Sequence, residues 1–420
     1  MDILLKAATI FDKKSKFYKQ QKDILIQDGL FKAISDHIEC PSQFKEVHLD
    51  DLIISPGWFD TSVCFGEPGY EDRETLSNGL DTAAMSGFTD IALNSNTNPI
   101  IDNKSLVNYL KTMARSKATN LHPIPSLTIG SKGTDLAELH DMKTAGAIAF
   151  GDYKKTIDNE LLLKIALEYS QAFEGIILNF PQNTNLAYKG CVNEGIHSTS
   201  LGLKGIPYIA EEIQIARDLC ILEYTGGRLH IPTISSAKSV KLIKNAKKKG
   251  LQISCSVSTH HLLLSDIELL GFNTNTKVMP PLRTPEDRMA LIEGLKEGTI
   301  DCITSDHNPI DIEHKRLEFE NAAYGTIGME NLYCSLKTIL DTETIIEAIA
   351  INTRKQFNLP TPHIIEGEQA HISLFTEKGT GIFKENNICS TSKNSIFLDK
   401  QTNGSAYGIY ANKQLILNNK

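Results

Sequence analysis

The sequence lacks the features that mark membrane proteins, secreted proteins and proteins with paired cysteine motifs. None of its apolar runs approaches the ~18–20 residues that span a bilayer, so we expect no membrane-spanning segment. The N-terminus carries Asp2 and has no long apolar core, which argues against a signal peptide. The eight cysteines are scattered, with no Cys-x-x-Cys pair. This pattern is typical of reduced thiols, and we expect a cytoplasmic protein.

An excess of basic residues is also missing. The net charge is -8 and the sequence pI is about 5.9, which argues against a nucleic-acid-binding protein. The chain has 420 residues, of which 41% are hydrophobic and 22% charged. This is ordinary for a globular protein, and the length suffices for a barrel of ~250 residues plus a smaller unit.

The two chain ends share a texture of alternating apolar and polar residues. Segments such as "KDILIQDGLFKAIS" near the N-terminus and "AYGIYANKQLILNN" near the C-terminus predict short antiparallel strands. Asp28-Gly29 predicts a hairpin turn between two of them. We therefore predict one small β-sandwich built from residues 1–54 and 365–420.

Residues 55–364 instead alternate short apolar strands with amphipathic helices, a rhythm that predicts a parallel α/β core. A barrel and an open sheet both fit this alternation. Neither Gly-x-Gly-x-x-Gly nor Gly-x-x-x-x-Gly-Lys-Ser/Thr follows the early strands, which weakens the nucleotide-binding open sheets. A barrel flanked by the terminal β unit fits the order of elements best.

A series of long motifs then indicates a particular family of barrel proteins. They are "SPGWFDTSVCFGEPG" (55–69), "NSNTNP" (94–99), "GAIAFGD" (146–152), "SLGLKGIPYIAEEIQIARDL" (200–219), "TGGRLHIPTISSAKSVKLIKNAKKKG" (225–250), "NTKVMPPLRTPEDR" (275–288), "TSDHNP" (304–309) and "YGTIGMEN" (324–331). In this order they resemble the dihydroorotases of the long bacterial type, within the amidohydrolase superfamily. The resemblance implies a TIM-type (β/α)8 metal-dependent-hydrolase barrel with a small β-sandwich. It also implies the reversible ring closure of carbamoyl-aspartate to dihydroorotate in pyrimidine biosynthesis.

The resemblance also marks where a metal site would lie. The four positions of the family's metal-binding histidines hold Ser62, Cys64, Asn179 and Thr233. Asp152 matches an Asp that contributes to the metal site, and Asp306 matches the Asp that binds metal and acts as general acid/base. Zinc needs about four strong donors, and without it the attacking water keeps a pKa near 16 instead of ~7. We therefore expect no metal cofactor, and a relic role for Asp306.

The substrate-binding positions have changed as well. The family's carboxylate-binding Arg is Gly66 here, a family Asn is Met279, and a family His is Ile310. Asn96 and His307 match substrate-binding positions and remain the candidates for that role. With the bidentate Arg absent, we expect dihydroorotate to bind poorly.

Several reactive-looking residues have ordinary structural interpretations. Asp306 and His307 are adjacent on a strand and should point to opposite faces, so we do not expect them to form a catalytic dyad. We expect His307 to be hydrogen-bonded in the interior. The pair His260-His261 and His230 are expected to be structural. Cys64 lacks an obvious base or positive neighbour and is expected to be a packed thiol.

We therefore predict a dihydroorotase-like protein that is catalytically inactive. By resemblance, it would be a structural or regulatory partner of aspartate carbamoyltransferase, and a homodimer is also expected. The alternative is an active dihydroorotase or another cyclic amidohydrolase, with a rebuilt zinc site of Cys64, Asp152 and Asp306. A third hypothesis is a small-ligand sensor that uses the barrel mouth.

Overall fold

The N-terminal residues form the first five strands of the protein. The computed structural model describes residues 1–418. The strands are β1 (Ile3–Ile10), β2 (Gln21–Gln27), β3 (Leu30–Ser35), β4 (Lys45–Val47) and β5 (Ile53–Pro56). Asp28 and Gly29 both adopt positive φ angles, 54° and 84°, as a two-residue hairpin turn requires, so the predicted turn is confirmed. β1, β2 and β3 pair antiparallel, but β4 and β5 run parallel to β1, so an all-antiparallel arrangement was wrong for them.

The middle of the chain forms a closed barrel of eight parallel strands. In chain order the strands are β6 (Trp58–Val63), β7 (Phe88–Asn94), β8 (Asn120–Ile124), β9 (Phe150–Gly151), β10 (Ile177–Leu178), the short pair β11 (Val192–Asn193) and β12 (Gly205–Ile206), β13 (Leu229–Ile231), β14 (Ile253–Ser258) and β15 (Cys302–Thr304). The pair β11–β12 lies outside the barrel. The Ile148 amide donates to the Pro123 carbonyl (3.1 Å) and joins β8 to β9, while the Cys64 amide donates to the His307 carbonyl (2.7 Å) and closes the barrel.

Helices connect the barrel strands and surround them. They are α1 (Leu76–Met85), α2 (Lys104–Ala114), α3 (Leu139–Thr144), α4 (Glu160–Ser170), α5 (Thr184–Ala187), α6 (Ile196–Leu201), α7 (Ile209–Thr225), α8 (Ala237–Lys248), α9 (Thr259–Leu263), α10 (Pro285–Lys296), α11 (Ile312–Lys315), α12 (Leu332–Leu336), α13 (Thr342–Ile346) and α14 (Asn352–Gln356). Their starts follow local sequence rules. Thr284 is the N-cap of α10 and forms a capping box with Asp287, and Pro285 occupies the first helical position between them. Among residues 1–418, no helix combines the length and apolar character needed to cross a membrane.

The C-terminal segment returns to the sheet of the N-terminal strands. Its strands are β16 (Ile372–Ile382), β17 (Gln401–Ala411) and β18 (Gln414–Leu417). The sheet order is β18-β17-β16-β5-β1-β2-β3, with β4 beside β1. The segment "SIFLDK" (395–400) has the alternating texture of a strand but forms none. Its residues Ile396 and Phe397 are buried in an apolar cluster with Leu264 and Ile327. The fold class, a TIM-type barrel with a β unit from both chain ends, is as predicted; the domain boundaries at 54/55 and 364/365 stay predictions.

Trp58 links the barrel to the terminal sheet. Its ring is fully buried, stacks on Tyr333 with centroids 5.0 Å apart, and contacts Phe88 of β7 and Phe375 of β16. The Trp58 amide also donates to Ser373 Oγ on β16 (2.9 Å). Large buried aromatic contacts of this kind hold two units in one orientation, so the sheet supports the N-terminal side of the barrel and leaves its mouth free.

Candidate functional site

A small cavity lies at the C-terminal ends of the barrel strands. Its polar lining includes Ser62, Asn94, Asp152, Lys154, Thr233 and Asp306. The volume of this cavity is about 20 Å³, which is room for about one water molecule. This is where TIM barrels place their active sites, so these residues define the candidate site.

An ion pair occupies the centre of this site. Lys154 Nζ lies 2.8 Å from Asp306 Oδ2, and the two side chains are 13% and 2% exposed. Tyr153 Oη and Ser62 Oγ each lie 3.4 Å from the other carboxylate oxygen, Oδ1. Burial raises the pKa of Asp306, while the Lys154 ammonium opposes that rise. Lys154 is thus the positively charged side chain that contacts the Asp306 carboxylate.

Asp60 supports this centre from below. Its carboxylate accepts hydrogen bonds from the Thr304 hydroxyl and from the backbone amides of Ser305 (3.2 Å) and Ser62 (3.3 Å). Burial raises the pKa of Asp60 to about 6, which the hydrogen bonds only partly offset. Asp60 thus ties β6 to the end of β15 and holds the backbone directly before Asp306 in place.

Ser62 and Cys64, the first two positions that the resemblance aligns with metal ligands, carry no charge. Asn94 Nδ2 donates to Ser62 Oγ (3.1 Å) and approaches Cys64 Sγ at 3.8 Å. Cys64 is 1% exposed, and burial raises its pKa to about 12. A thiol with that pKa stays protonated at neutral pH, and the thiolate is the form that binds metal or attacks a substrate. These contacts agree with a packed, inert Cys64.

Asn179, the third position that the resemblance aligns with a metal ligand, belongs to a separate buried network. Asn179 Oδ1 accepts from the Ile157 amide (2.9 Å), and its Nδ2 donates to Asp218 Oδ2 (2.7 Å). Burial raises the pKa of Asp218 to about 6 although Arg217 contacts it at 2.8 Å. The Asn179 amide is therefore engaged at both ends and oriented by its neighbours.

Asp152 and Thr233 also form hydrogen bonds with neighbouring residues. Asp152 accepts from Ser126 Oγ (2.5 Å), from the Thr128 amide (3.0 Å) and from the Thr128 hydroxyl. The Thr233 amide donates to Ser256 Oγ at 3.2 Å. Thr233, Lys154 and Asp306 all have φ near 50°, a left-handed conformation that is uncommon for residues other than Gly. Such positions cluster at sites where side chains are held in fixed directions.

The two predicted substrate-binding residues lie outside the cavity lining. His307 is fully buried, accepts from the Gly328 amide at Nδ1 (3.3 Å) and packs edge-on against Phe65. Burial lowers the pKa of His307 to about 3, so the ring is neutral. Asn96 is half-buried, and its Oδ1 has no hydrogen-bond partner among the described residues. Their role in substrate binding stays a prediction.

Gly66, Met279 and Ile310, which the resemblance aligns with substrate-binding positions, are closely packed. A Cβ atom added at Gly66 would lie 1.7 Å from the Tyr70 carbonyl oxygen, so an Arg does not fit there unless the backbone moves. Met279 is buried in an apolar cluster with Phe180 and Ala210, and Ile310 is 5% exposed.

The remaining histidines of this region are neutral and structural. His261 contacts Ser258 Oγ (2.6 Å) and the Pro280 carbonyl (3.2 Å), and burial lowers its pKa to about 3. Burial lowers the pKa of His260 well below its ordinary value. His230 contacts Ser254 Oγ (2.8 Å) and Ser256 Oγ (3.2 Å), and burial lowers its pKa to about 3. His230 also lines the cavity, which places it closer to the site than expected.

These residues do not fit a zinc ion. Within residues 1–418 no group of three or more His, Cys, Asp or Glu side chains is placed to hold a metal. The proposed set of Cys64, Asp152 and Asp306 is therefore not assembled: the first is a protonated thiol, the second is saturated by hydroxyls and an amide, and the third is paired with Lys154. The ammonium beside Asp306 would also repel a cation at close range.

Sequence reasoning missed the residue that decides this geometry. Lys154 follows Asp152 by two positions in "GDYKK", but the family resemblance assigns a role only to Asp152. A basic residue directly after a predicted barrel strand was a usable signal, since these strand ends meet at one edge. That Lys154 turns inward, with a left-handed backbone, could not be read from the sequence.

Known proteins agree with this architecture. The family model described as Dihydro-orotase-like matches residues 51–239. A dihydroorotase of Caldicellulosiruptor saccharolyticus is 42% identical over 407 residues, which cover 95% of this chain and 94% of the relative. A dihydroorotase of Syntrophus aciditrophicus is 37% identical over 404 residues, with 94% and 95% covered.

The chain belongs to the dihydroorotase family. Solved structures extend the likeness of the fold to more distant proteins. The L-hydantoinase (dihydropyrimidinase) from Arthrobacter aurescens superimposes with a TM-score of 0.84 at 19% identity, covering 99% of this chain and 97% of that one. A dihydropyrimidinase from Brevibacillus agri gives a TM-score of 0.80 at 17% identity, with 100% and 97% covered. At this identity the likeness concerns the barrel and its β unit. In this chain the barrel mouth holds the ion pair of Lys154 and Asp306.

Proposed function

We propose that this chain is a dihydroorotase-family protein that acts in pyrimidine biosynthesis without metal-dependent catalysis. The observation that carries the proposal is the contact between Lys154 and Asp306 (2.8 Å). Hydrolysis of a cyclic amide needs a polarised carbonyl and an activated water, and the reverse ring closure releases that water from a polarised carboxyl group. Here the acid/base candidate is buried and already neutralised by a lysine, and the residues around it are hydroxyls, amides and a protonated thiol.

The size of the cavity supports the same proposal. Its space of about 20 Å³ accommodates about one water molecule, whereas dihydroorotate is a six-membered ring with a carboxylate. The family's arginine position is Gly66, where a side chain would collide with the Tyr70 carbonyl. Substrate binding would require the barrel mouth to open.

A scaffold that is kept while its site is dismantled suits a binding or assembly role. Following the family resemblance, we propose aspartate carbamoyltransferase as the partner and the cytoplasm as the location. Size-exclusion chromatography of the two purified proteins from the same organism tests the partner. Co-elution in a fixed ratio supports it, and separate elution of both proteins at micromolar concentration contradicts it.

Dihydroorotase activity is the second candidate. It is favoured by relatives named dihydroorotase that are 36–42% identical over nearly the whole chain. A direct assay separates the two candidates: the purified chain is incubated with dihydroorotate and with carbamoyl-aspartate, with and without added zinc. Enzymes of ordinary efficiency turn over at ~1–10³ s⁻¹. Turnover in that range establishes the second candidate, and conversion no faster than in buffer supports the first.

A further inference from the structure

The chain that follows β15 forms a loop, residues 310–325, whose two ends meet. At its base the Asn308 amide donates to the Thr326 carbonyl (2.8 Å). The buried Asn394 side chain donates through Nδ2 to the Asn308 and Gly325 carbonyls, at 3.1 and 3.2 Å. Compact loops with adjacent ends are Ω-loops, which frequently carry function. The 310–325 loop therefore has a fixed base from which the rest of it extends.

Tyr324 connects this loop to the residues that enclose the cavity at the barrel mouth. Its ring packs against an apolar cluster that includes Phe180, Ile206 and Met279. Its hydroxyl donates to the Gly190 carbonyl (3.2 Å). Phe180 itself lines the cavity. Tyr324 thus lies behind one wall of the mouth and holds that wall in place.

Two buried lysines bind the backbone of the loop. Lys277 Nζ donates to the Phe319 and Glu320 carbonyls (2.8 and 2.7 Å), and Lys315 Nζ donates to two carbonyls near the end of the loop (3.0 and 2.7 Å). Lys277 and Lys315 are only 3% and 4% exposed. Burial, together with the nearby Lys277 ammonium, lowers the pKa of Lys315 to about 7. The closed loop therefore covers ammonium groups at an electrostatic cost that its opening would relieve.

The outer side of the loop is loosely packed. A cavity of about 620 Å³ lies between the first part of the loop and residues 385–398. Within residues 312–321 only Lys315 and Phe319 are buried, and the rest are exposed. Few buried apolar contacts are typical of segments that open locally without unfolding of the whole protein. The cavity gives the loop space to move away from the mouth.

We propose that residues 310–325 form a lid over the barrel mouth, which closes through Tyr324 and Lys277 and opens to admit a ligand. A molecule of the size of dihydroorotate, too large for the closed cavity of about 20 Å³, would enter only when the lid is open. The lid concerns access to the mouth, so the proposal is independent of whether the mouth is catalytic.

Native cysteines report on the lid. Cys191 is 6% exposed and shares an apolar cluster with Phe319 of the lid, and Cys64 is 1% exposed beside the mouth cavity. Cys255 and Cys302 are fully buried on barrel strands and serve as references. The full chain is treated with methyl methanethiosulfonate, a small thiol reagent, and mass spectrometry gives the labelling rate of each cysteine. In the wild type, Cys191 and Cys64 should react faster than the two references.

Variants of Tyr324 should shift the lid towards its open state. Tyr324→Phe removes only the bond to Gly190 and should raise the labelling rates of Cys191 and Cys64 about twofold to tenfold. Tyr324→Ala also removes the ring from the apolar cluster and should raise both rates more than about tenfold. Tyr169→Phe and Tyr169→Ala are the matched controls, because Tyr169 is a 45% exposed tyrosine on α4, outside the lid. They should leave both rates unchanged.

Three results would overturn the proposal. One is a wild type in which Cys191 and Cys64 react no faster than Cys255 and Cys302, because the mouth would then open only with the whole barrel. The second is an unchanged rate in both Tyr324 variants. The third is a rise at Cys191 alone, because the loop would then move without opening the mouth. If Tyr324→Ala raises the rates of all four cysteines, it has lost its fold, and the result for Tyr324→Phe decides.

Discussion

Lys154 Nζ and Asp306 Oδ2 lie 2.8 Å apart in the small cavity at the barrel mouth, and the two residues follow different barrel strands. The lysine comes after β9 and the aspartate after β15. Both have left-handed backbone angles that aim their side chains inward. The positive charge that stabilises the Asp306 carboxylate is therefore built into the chain.

Removing one partner of this pair should be costly. Lys154→Met leaves a buried carboxylate without its cation, and we expect the free energy of unfolding to fall by about 3–5 kcal/mol. Asp306→Asn alone should also destabilise the protein. The double variant should lose less than the sum of the two, which urea unfolding measures as a coupling energy. Strictly additive effects would show that the two side chains do not interact.

The raised pKa of Asp60 makes stability depend on pH. Between its ordinary value of 3.8 and its folded value of about 6, the folded state holds a proton that the unfolded state has released. The free energy of unfolding should therefore fall as the pH rises through this window, by up to about 3 kcal/mol. Asp60→Asn should flatten the slope, whereas the exposed control Asp36→Asn should not. Equal slopes in all three proteins would contradict this assignment.

Asp90 should behave in the opposite way. It contacts Arg354, His122 (2.8 Å) and His371 (2.8 Å), and despite burial its pKa is held well below 3.8 by Arg354 and the two histidines. Its contribution to stability is present above pH 4 and is lost as the pH falls below that value.

Arg354→Met tests the Asp90 cluster directly. Because Arg354 is only 4% exposed, we expect a loss of about 3–5 kcal/mol in thermal or urea unfolding. The control Lys378→Met breaks an exposed pair with Asp51 and should cost less than about 1 kcal/mol. Similar effects of the two variants would mean that the cluster does not support the barrel.

The small cavity predicts weak binding of pyrimidine intermediates. Dihydroorotate at millimolar concentration should leave the thermal unfolding temperature unchanged, because the space beside Lys154 holds about one water molecule. A ligand present at 100 times its dissociation constant would add about 2.7 kcal/mol and raise that temperature visibly. Such a rise with dihydroorotate or carbamoyl-aspartate would support the small-ligand sensor or the enzyme instead.

The sequence allowed much of the fold to be predicted, for local reasons. The hairpin at Asp28-Gly29 follows from residues that accept positive φ, and barrel strands and helices follow from their periodicity. The "SIFLDK" segment (395–400) has apolar residues typical of a strand, but they are buried against Leu264 and Ile327, which are distant in the chain. The parallel course of β4 and β5 depends on pairing across the sheet, which local patterns do not specify.

The site was predictable by position but not by contact. Ser62, Asn179, Thr233 and Asp306 could be placed at strand ends, since motifs fix the strands. The partners of Asn179 and Asp152 come from Asp218 and Ser126, on other segments. Lys154 was missed because the direction of its side chain depends on a backbone conformation that sequence rules rarely assign to lysine.

Zinc binding by the wild-type chain tests most directly the claim that the barrel mouth holds an ion pair instead of a metal. The protein is equilibrated with excess zinc, freed of unbound metal by gel filtration and measured by elemental mass spectrometry. If the Lys154–Asp306 pair replaces the metal, only trace zinc should remain. One or two zinc ions retained per chain, lost on Asp306→Ala, would contradict the proposal and identify an active metal site.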